Sequence, residues 1–309
     1  DDPLSFAAEL LLDDVYELGK SIEPVRLALH AVSEIKFTVA EGTEIVAIGS
    51  ALHLDSALTF MSPDGQITDA LILVEGDDEG DINEIYLLPL SPLAAHTSYS
   101  LVGINTKTPA HTFAQVACVS FSRGTHITLA SGEQRRIEEL NVGDRVLTRD
   151  DGPQKVQWIG QNTVRAVGEF APICIKAGTL NNDNDLIVSP DHRLFIYQRS
   201  DELGAGRAEL LVKVRYLLND DTVFTQAGGY VDYFQLLFDS HQIIYAQGIA
   251  AESMLIDTRT KPVLPAHIAK DMGDVIPGHS DRPHAGLDVQ EGLLNRPDAA
   301  AILRRASAL

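Results

Sequence analysis

The chain has 309 residues, of which 45% are apolar, and its 44 acidic against 24 basic residues give a formal net charge of -20. This length suits one large domain or two ordinary ones, and the apolar fraction suits a soluble globular protein with a full core. No apolar run is long enough for a membrane span, and so acidic a chain disfavours nucleic acid as a partner, because binding phosphates requires basic patches.

The first predicted element is an amphipathic helix over about residues 1–20. Apolar residues recur there at helical spacing, at Leu4, Ala8, Leu11, Val15 and Leu18. From Glu34 the pattern changes to short strands, of which ALTFMSPDGQITDALILVEG contains a Pro-Asp-Gly turn at 63–65. Residues 1–114 are therefore predicted to form a smaller, mostly β domain of the α+β type with a leading helix.

Two polar stretches interrupt this pattern. The segment EGDDEGDINE at 75–84 lacks the alternating ligands and final glutamate of a calcium loop, so it is interpreted as a solvated hairpin tip. The segment INTKTPAHTFAQ at 104–115 is polar and contains a proline, and it is predicted to be a linker.

A second β-rich region follows at residues 115–258. Its short strands are separated by turn signals, among them Ser131-Gly132 and the DDGP at 150–153. Because no alternation of strands and helices occurs, an all-β domain is expected. Residues 259–309 are predicted to be an extended tail that ends in a short helix.

The two cysteines, Cys118 and Cys174, are too few for a disulfide framework or a thiolate zinc site. Gly-rich phosphate signatures are absent as well. We therefore expect no metal and no cofactor.

Several blocks of the second region carry a family resemblance. In order they read SFSRGTHITLASGEQ, NVGDRVLTRDDG, VQWIG, SPDHRLFI and FDSHQIIYAQGIAAES. This order resembles the Hint family, which Hedgehog autoprocessing domains and inteins share, and it is most similar to the bacterial Hint-like branch. The resemblance extends from Ser120 to about Met254 and does not include residues 1–117.

The resemblance implies a flattened, horseshoe-like all-β domain that cleaves its own chain. The family's first residue falls on Ser120, so its hydroxyl would attack the carbonyl of Val119 and turn the Val119–Ser120 amide into an ester. His192 would polarise and protonate the departing nitrogen, and Ser189 would hold a hydroxyl against the scissile peptide or the imidazole. The substrate would be the chain's own N-terminal domain, and the ester would pass to water or a small nucleophile.

Two alternatives remain open for the nucleophile. Cys118 lies two residues earlier and on the same strand face, since side chains alternate with a period of 2, but its use would require an insertion before the turn at 123–124. Ser120 itself fits either a natural serine form of the family or the replacement of a cysteine.

The C-terminal blocks depart from the relatives that splice or transfer sterol. Inteins end in a His-Asn pair, where this chain has Glu252 and Ser253, so splicing is not expected. Hedgehog domains carry an aspartate where this chain has Gly160, which argues against sterol transfer. His241 matches a family histidine and is predicted to lie near the catalytic centre, and Asp232 and Gln235 are further candidates.

The rival hypothesis is an inactive or trapped Hint-like module that serves as a structural or interaction domain. A hydrolase that acts on other molecules is disfavoured, because neither a G-x-S-x-G motif nor an acidic third residue accompanies Ser120 and His192. The sequence assigns no cellular compartment.

Overall fold

A computed structural model describes residues 3–19, 25–76, 82–256, 260–264, 279, 284–289, 291–294 and 296–307. The chain divides into two compact units, the first formed by residues 1–116 and 258–263 and the second by residues 117–257 and 264–309. The division after Val116 falls beside the predicted domain boundary. The tail, which was expected to stand apart from residue 259, instead groups with the second unit from residue 264 onward.

The first unit is built on one antiparallel sheet. Its strands are β1 (Val15–Glu17), β2 (Leu29–Ala31), β3 (Lys36–Val39), β4 (Ala51–Met61), β5 (Ile67–Gly76), β6 (Ile82–Pro89) and β7 (Ser98–Asn105). The long strand β4 pairs with β5 along one side, and β3 and β7 share its other side. Alternating apolar residues bury one face of this sheet, with Leu58, Phe60, Ile72 and Leu101 in the core.

The predicted leading helix is wrong. Residues Ala7–Glu9 form one 3-10 turn, and β1 pairs with β7 through Tyr16 and Tyr99. Asp13 has a φ of 70°, a left-handed conformation that no α-helix tolerates, and its N–H donates to the Leu101 carbonyl at 2.8 Å. Backbone pairing with the sheet edge therefore overrides the helical spacing of the apolar residues, and Leu11 stays 68% exposed.

The predicted linker is also more ordered than expected, because helix α1 spans Pro109–Ala117. The Asn105 side chain accepts hydrogen bonds from the N–H groups of Lys107 and Thr108, which turns the chain at the end of β7. Pro109 then occupies the first helical position, where its fixed φ is favourable and its missing N–H has no helical partner to lose. The proline thus begins a helix.

The other turn predictions are confirmed. Gly65 has a φ of 81° in the hairpin between β4 and β5, and Gly152 has a φ of 63° in the DDGP turn. Strands β5 and β6 form the hairpin expected around the acidic segment, whose tip at 77–81 lies outside the described residues.

The second unit is mainly β, as predicted. Its strands are β8 (Phe121–Ser122), β9 (His126–Thr128), β10 (Gln134–Arg136), β11 (Arg145–Leu147), β12 (Pro153–Lys155), β13 (Trp158–Arg165), β14 (Ile173–Ile175), β15 (Leu186–Val188), β16 (Arg193–Tyr197), β17 (Glu209–Lys213), β18 (Val223–Thr225), β19 (Tyr230–Leu237), β20 (Ile243–Ala246) and β21 (Ile249–Glu252).

These strands form two larger sheets and one hairpin. One sheet has the order β10-β9-β20-β21-β16-β17, the other has the order β13-β19-β8-β15-β14-β18, and β11 pairs with β12. Apolar side chains from both sheets meet in one core that includes Phe121, Ile127, Leu194 and Ile244.

The tail contributes to this core. Helices α2 (Glu291–Leu294) and α3 (Ala299–Ser307) bury Leu294 and Leu303 in it, and the backbone N–H of Val289 donates to Leu211 of β17 at 3.0 Å. Helix α3 lies in the part of the tail where the sequence predicted a short terminal helix.

Candidate active site

Ser120 lies directly before β8, the strand at the centre of its sheet. Phe121 of β8 pairs with Val188 of β15 on one side and with Phe234 of β19 on the other. A two-residue strand held from both sides fixes the backbone that leads into it. The side chain of Ser120 is 2% exposed, so water is almost excluded from its hydroxyl.

Ser189 and Ser120 form two reciprocal hydrogen bonds. The Ser120 N–H donates to Ser189 Oγ at 2.9 Å, and the Ser189 N–H donates to the Ser120 carbonyl oxygen at 2.9 Å. Ser189 directly follows β15, whose antiparallel pairing with β8 brings the two serines together. The Ser189 hydroxyl therefore contacts the nitrogen of the Val119–Ser120 peptide bond.

The imidazole of His192 contacts the other side of Ser120. Its Nδ1 lies 3.2 Å from the Ser120 carbonyl oxygen, and because that oxygen can only accept, the neutral ring carries its proton on Nδ1. The ring packs against Phe121 with 4.4 Å between ring centroids. The structure thus brings His192 to Ser120, but the group that contacts the peptide nitrogen is Ser189.

His192 is fully buried, and its Nε2 has no hydrogen-bond partner within the described part of the chain. Burial lowers the pKa of His192 to about 4, because the charged imidazole would lose its hydration, and the nearby Glu252 carboxylate opposes this shift only in part. The ring is therefore neutral near pH 7.

Gln235 of β19 contacts the Ser120 hydroxyl. Its Nε2 donates to Ser120 Oγ at 2.7 Å, and Ser120 Oγ in turn donates to the Cys118 carbonyl oxygen at 3.4 Å. The sequence gave Gln235 as a further site candidate but named no partner for it. The sequence feature that could have pointed to Gln235 is Gly160, a glycine within a strand. It lies opposite Gln235 in the pairing of β13 with β19.

Val119 and Cys118 precede Ser120. Val119 is partly buried, and Cys118 is buried. The Cys118 carbonyl also accepts from Ser189 Oγ at 3.5 Å, so it faces both serine hydroxyls. Neither residue has a positive φ, and the peptide bonds of the described residues are trans, so the junction shows no strain of these two kinds.

Asp232 and His241 have other partners. The Asp232 carboxylate accepts hydrogen bonds from Arg123 and Thr163 on the outer part of the sheet. His241 is buried with its Nε2 3.3 Å from Glu252 Oε2 and its Nδ1 3.4 Å from Nδ1 of His284. His241 thus belongs to a second polar cluster centred on Glu252, which the sequence marked only as a departure from the intein pattern.

Glu252 is fully buried and paired with Arg193. Its carboxylate accepts from the Arg193 backbone N–H at 3.1 Å and from Nε and Nη2 of the guanidinium at 2.8 and 2.6 Å. Burial alone would raise the pKa of Glu252, but His241 and Arg193 outweigh it and lower the pKa to about 2. The ion pair therefore fixes the start of β16, next to His192.

Replacing Glu252 with glutamine should lower the free energy of unfolding of the second unit by about 3 kcal/mol or more, because the largely buried guanidinium of Arg193 would keep only the half-exposed carboxylate of Asp288 as a counter-charge. Urea unfolding followed by the fluorescence of Trp158, the sole tryptophan and a residue of β13, measures this loss. The matched control is Asp288→Asn, since Asp288 also pairs with Arg193 but is 48% exposed. It should lose less than about 1 kcal/mol, and equal losses would contradict the structural role of Glu252.

The described residues contain no group of three or more histidine, cysteine or acidic side chains arranged to hold a metal ion. Within the same described ranges, no helix combines the length and apolar character needed to cross a membrane.

Comparison with known proteins gives a family for the second unit. The family model described as the Hint domain matches residues 119–258. A search of curated proteins finds no match.

Among solved structures, an Ssp DnaB mini-intein variant is 11% identical and aligns over 45% of this chain and 97% of its own, with a TM-score of 0.31. A bacterial intein-like domain from Clostridium thermocellum is 13% identical over 43% of this chain and 97% of its own, also with a TM-score of 0.31. For the gp41-1 intein the identity is 13%, the coverage is 43% and 97%, and the TM-score is 0.27.

Proposed function

Because residues 119–258 form a Hint domain, we propose that it cleaves its own chain at the Val119–Ser120 peptide bond. The observation that carries this proposal is the 2.9 Å hydrogen bond from the Ser120 N–H to Ser189 Oγ, buried beside the Ser120 hydroxyl. One buried cluster then contains the nucleophile Ser120 Oγ, the departing Ser120 nitrogen and the Ser189 hydroxyl that contacts this nitrogen. The contact also favours Ser120 over Cys118 as the attacking residue.

In the first step Ser120 Oγ attacks the Val119 carbonyl carbon. The new Oγ–C bond replaces the C–N bond of the Val119–Ser120 peptide, and one proton moves from Oγ to the departing nitrogen. The amide becomes an ester, and Ser120 gains a free amino group. The shift is unfavourable because amide resonance is lost, so proton delivery to the nitrogen is essential.

We assign proton delivery to Ser189 and positioning to His192. The Ser189 hydroxyl contacts the nitrogen and can turn its own proton toward it once the nitrogen lone pair is released from resonance. It then recovers the proton that Ser120 Oγ has lost, and the Cys118 carbonyl holds the two hydroxyls near one another. The Nδ1–H of His192 holds the Ser120 carbonyl, which limits rotation of the nucleophile's backbone.

In the second step water or a small nucleophile attacks the ester carbonyl. With water, the ester C–O bond breaks, one fragment ends in the Val119 carboxylate, and the other begins with Ser120. The residues before Ser120 are thus the substrate. Splicing is not part of the proposal, because Glu252 is held by Arg193 and His241 and has no amide side chain that could cyclise.

Hydroxylamine tests this proposal, because it attacks esters far faster than peptide bonds. The purified chain is incubated near neutral pH with and without hydroxylamine and separated on a denaturing gel. We expect two fragments that meet at the 119/120 junction, with more of them in the presence of hydroxylamine. A chain that stays intact in both this form and a Ser120→Cys form would contradict self-cleavage.

Replacing Ser189 with alanine should slow the hydroxylamine-dependent cleavage by about 100-fold, the usual size of a lost proton-transfer group. Ser253→Ala is a closely matched control, because Ser253 is also buried and its Oγ accepts a backbone N–H, that of Gln242, at 2.9 Å. Both variants should lose similar stability, and only Ser189→Ala should lose cleavage. Equal cleavage rates in the two would remove Ser189 from the mechanism.

The competing function is a Hint module that serves as a structural or interaction domain. The observation that favours it is the junction itself, where the peptide is trans and neither Val119 nor Ser120 has a positive φ. A Ser120→Cys form that stays intact in hydroxylamine would support this alternative.

A further inference from the structure

We infer that Gln235 is a further catalytic residue, whose amide N–H stabilises the negative charge that develops on Ser120 Oγ during the attack. This inference rests on the proposed function and extends it to a residue outside the Ser120, Ser189 and His192 set. The main observation that supports this inference is the 2.7 Å hydrogen bond from Gln235 Nε2 to Ser120 Oγ.

Strand pairing brings Gln235 to the nucleophile. Phe234 of β19 pairs with Phe121 of β8, so Gln235 is the next residue along β19 and faces the residue before Phe121, which is Ser120. On its other side β19 pairs with β13, where Gln235 lies opposite Gly160. The amide is therefore held on a sheet strand, where its position is better defined than on a loop.

Gly160 leaves the space that the amide occupies. A Cβ atom at this position would overlap Oε1 of Gln235 and the ring of Trp158. The φ of Gly160 is not left-handed, so backbone conformation does not require glycine here. The glycine is thus explained by the side chains of Gln235 and Trp158, which both lie against it.

The chemistry favours a donor at this atom. As Oγ gives up its proton, the charge on the oxygen grows, and a hydrogen bond to a charged acceptor is roughly twice as strong as one to a neutral acceptor. The hydrogen bond from the Gln235 amide to Ser120 Oγ is therefore stronger in the transition state than in the resting state, which is the condition for catalysis. Gln235 itself gains and loses no proton. A serine nucleophile needs this help more than a thiol does, because an alcohol is almost never ionised near pH 7.

The test measures hydroxylamine-dependent cleavage in Gln235 variants. Gln235→Leu should lower the rate by about 10- to 100-fold. The loss of one oxyanion donor usually costs about 100- to 1,000-fold, so the expected effect is at or below the lower end of that range. Gly160→Ala should lower the rate as well, because the added methyl group displaces the amide. The control is Gln161→Leu, because Gln161 follows Gly160 in β13 and its side chain is exposed. This variant should cleave at the parent's rate.

Two readouts separate a donor from a packing residue. In a Ser120→Cys background the Gln235→Leu loss should be smaller than in the serine form, because a thiol ionises far more readily than an alcohol and needs the donor less. In Gln235→Glu the rate should fall as the pH rises through the pKa of the new carboxyl group, since only its protonated form donates. A loss of equal size in both backgrounds, or a Gln235→Glu rate that rises with pH, would overturn the inference.

A further measurement is independent of cleavage. The thiol introduced by Ser120→Cys should titrate at a higher pKa when Gln235→Leu is added, because the donor to the thiolate is gone. An unchanged pKa would overturn the donor role even in a chain that does not cleave, whereas a raised pKa in an uncleaved chain would support the contact and reject only the proposed function.

Discussion

Replacing Ser120 with alanine should abolish cleavage at the 119/120 junction, and replacing it with cysteine should accelerate cleavage by about 10-fold or more. Alanine has no nucleophile to form the ester. A thiol with a pKa near 8.5 is a few per cent ionised near pH 7, whereas an alcohol is almost entirely protonated. Gel densitometry over time, with and without hydroxylamine, gives the rates.

The control for both Ser120 variants is Ser122→Ala. Ser122 is also buried and lies two residues further along the chain, in β8, but its Oγ donates to the Arg123 carbonyl rather than to a proposed catalytic group. It should cleave at the parent's rate. Cleavage at the same bond in Ser120→Ala would show that another residue, with Cys118 as the first candidate, makes the attack.

Replacing His192 with alanine should lower the cleavage rate by about 100-fold, the size expected when a reacting group loses its position. The variant loses the hydrogen bond to the Ser120 carbonyl and leaves a cavity beside Phe121, so the nucleophile's backbone is free to move. His192→Asn, which keeps a side-chain N–H of similar reach, should recover part of the rate. A His192→Ala variant that cleaves at the parent's rate would show that the imidazole has no part in the reaction.

The buried imidazole also predicts how stability depends on pH. The pKa of His192 is about 4 in the folded chain against an ordinary value of 6.5, so the unfolded chain binds more protons between these values. The free energy of unfolding should therefore fall as the pH falls from 6.5 to about 4, by about 3 kcal/mol in all. Trp158 fluorescence in urea at several pH values measures it, and His192→Asn should flatten this part of the curve.

The blocks of the second unit could be predicted from the sequence because they are local. Turn residues such as Gly132 and Gly152 fix hairpins within a few residues, and the serine and histidine at 189 and 192 share one turn, in which the His192 N–H donates to the Ser189 carbonyl. The family resemblance then joined this turn to Ser120. Sequence reasoning therefore named the three residues that the structure brings together, although their chemical roles stay predictions.

The remainder depends on contacts between distant parts of the chain. The Gln235 contact requires the register of β19 against both β8 and β13, which side-chain alternation alone does not give. His241 was expected near Ser120, yet its partners are Glu252 and His284, the latter from a tail that no sequence pattern placed in this unit. The leading helix failed for the same reason, since pairing of β1 with a strand far along the chain outweighed local spacing.

Intact-mass spectrometry of the freshly purified chain, before and after hydroxylamine, is the sharpest test of self-cleavage between Val119 and Ser120. We expect the full-length mass to be replaced by two masses that sum to the mass of the chain plus one hydroxylamine, with a hydroxamate on a fragment ending at Val119 and a free amino group on one beginning with Ser120. An unchanged full-length mass in the parent and the Ser120→Cys form, or fragments that meet at any other bond, would contradict it.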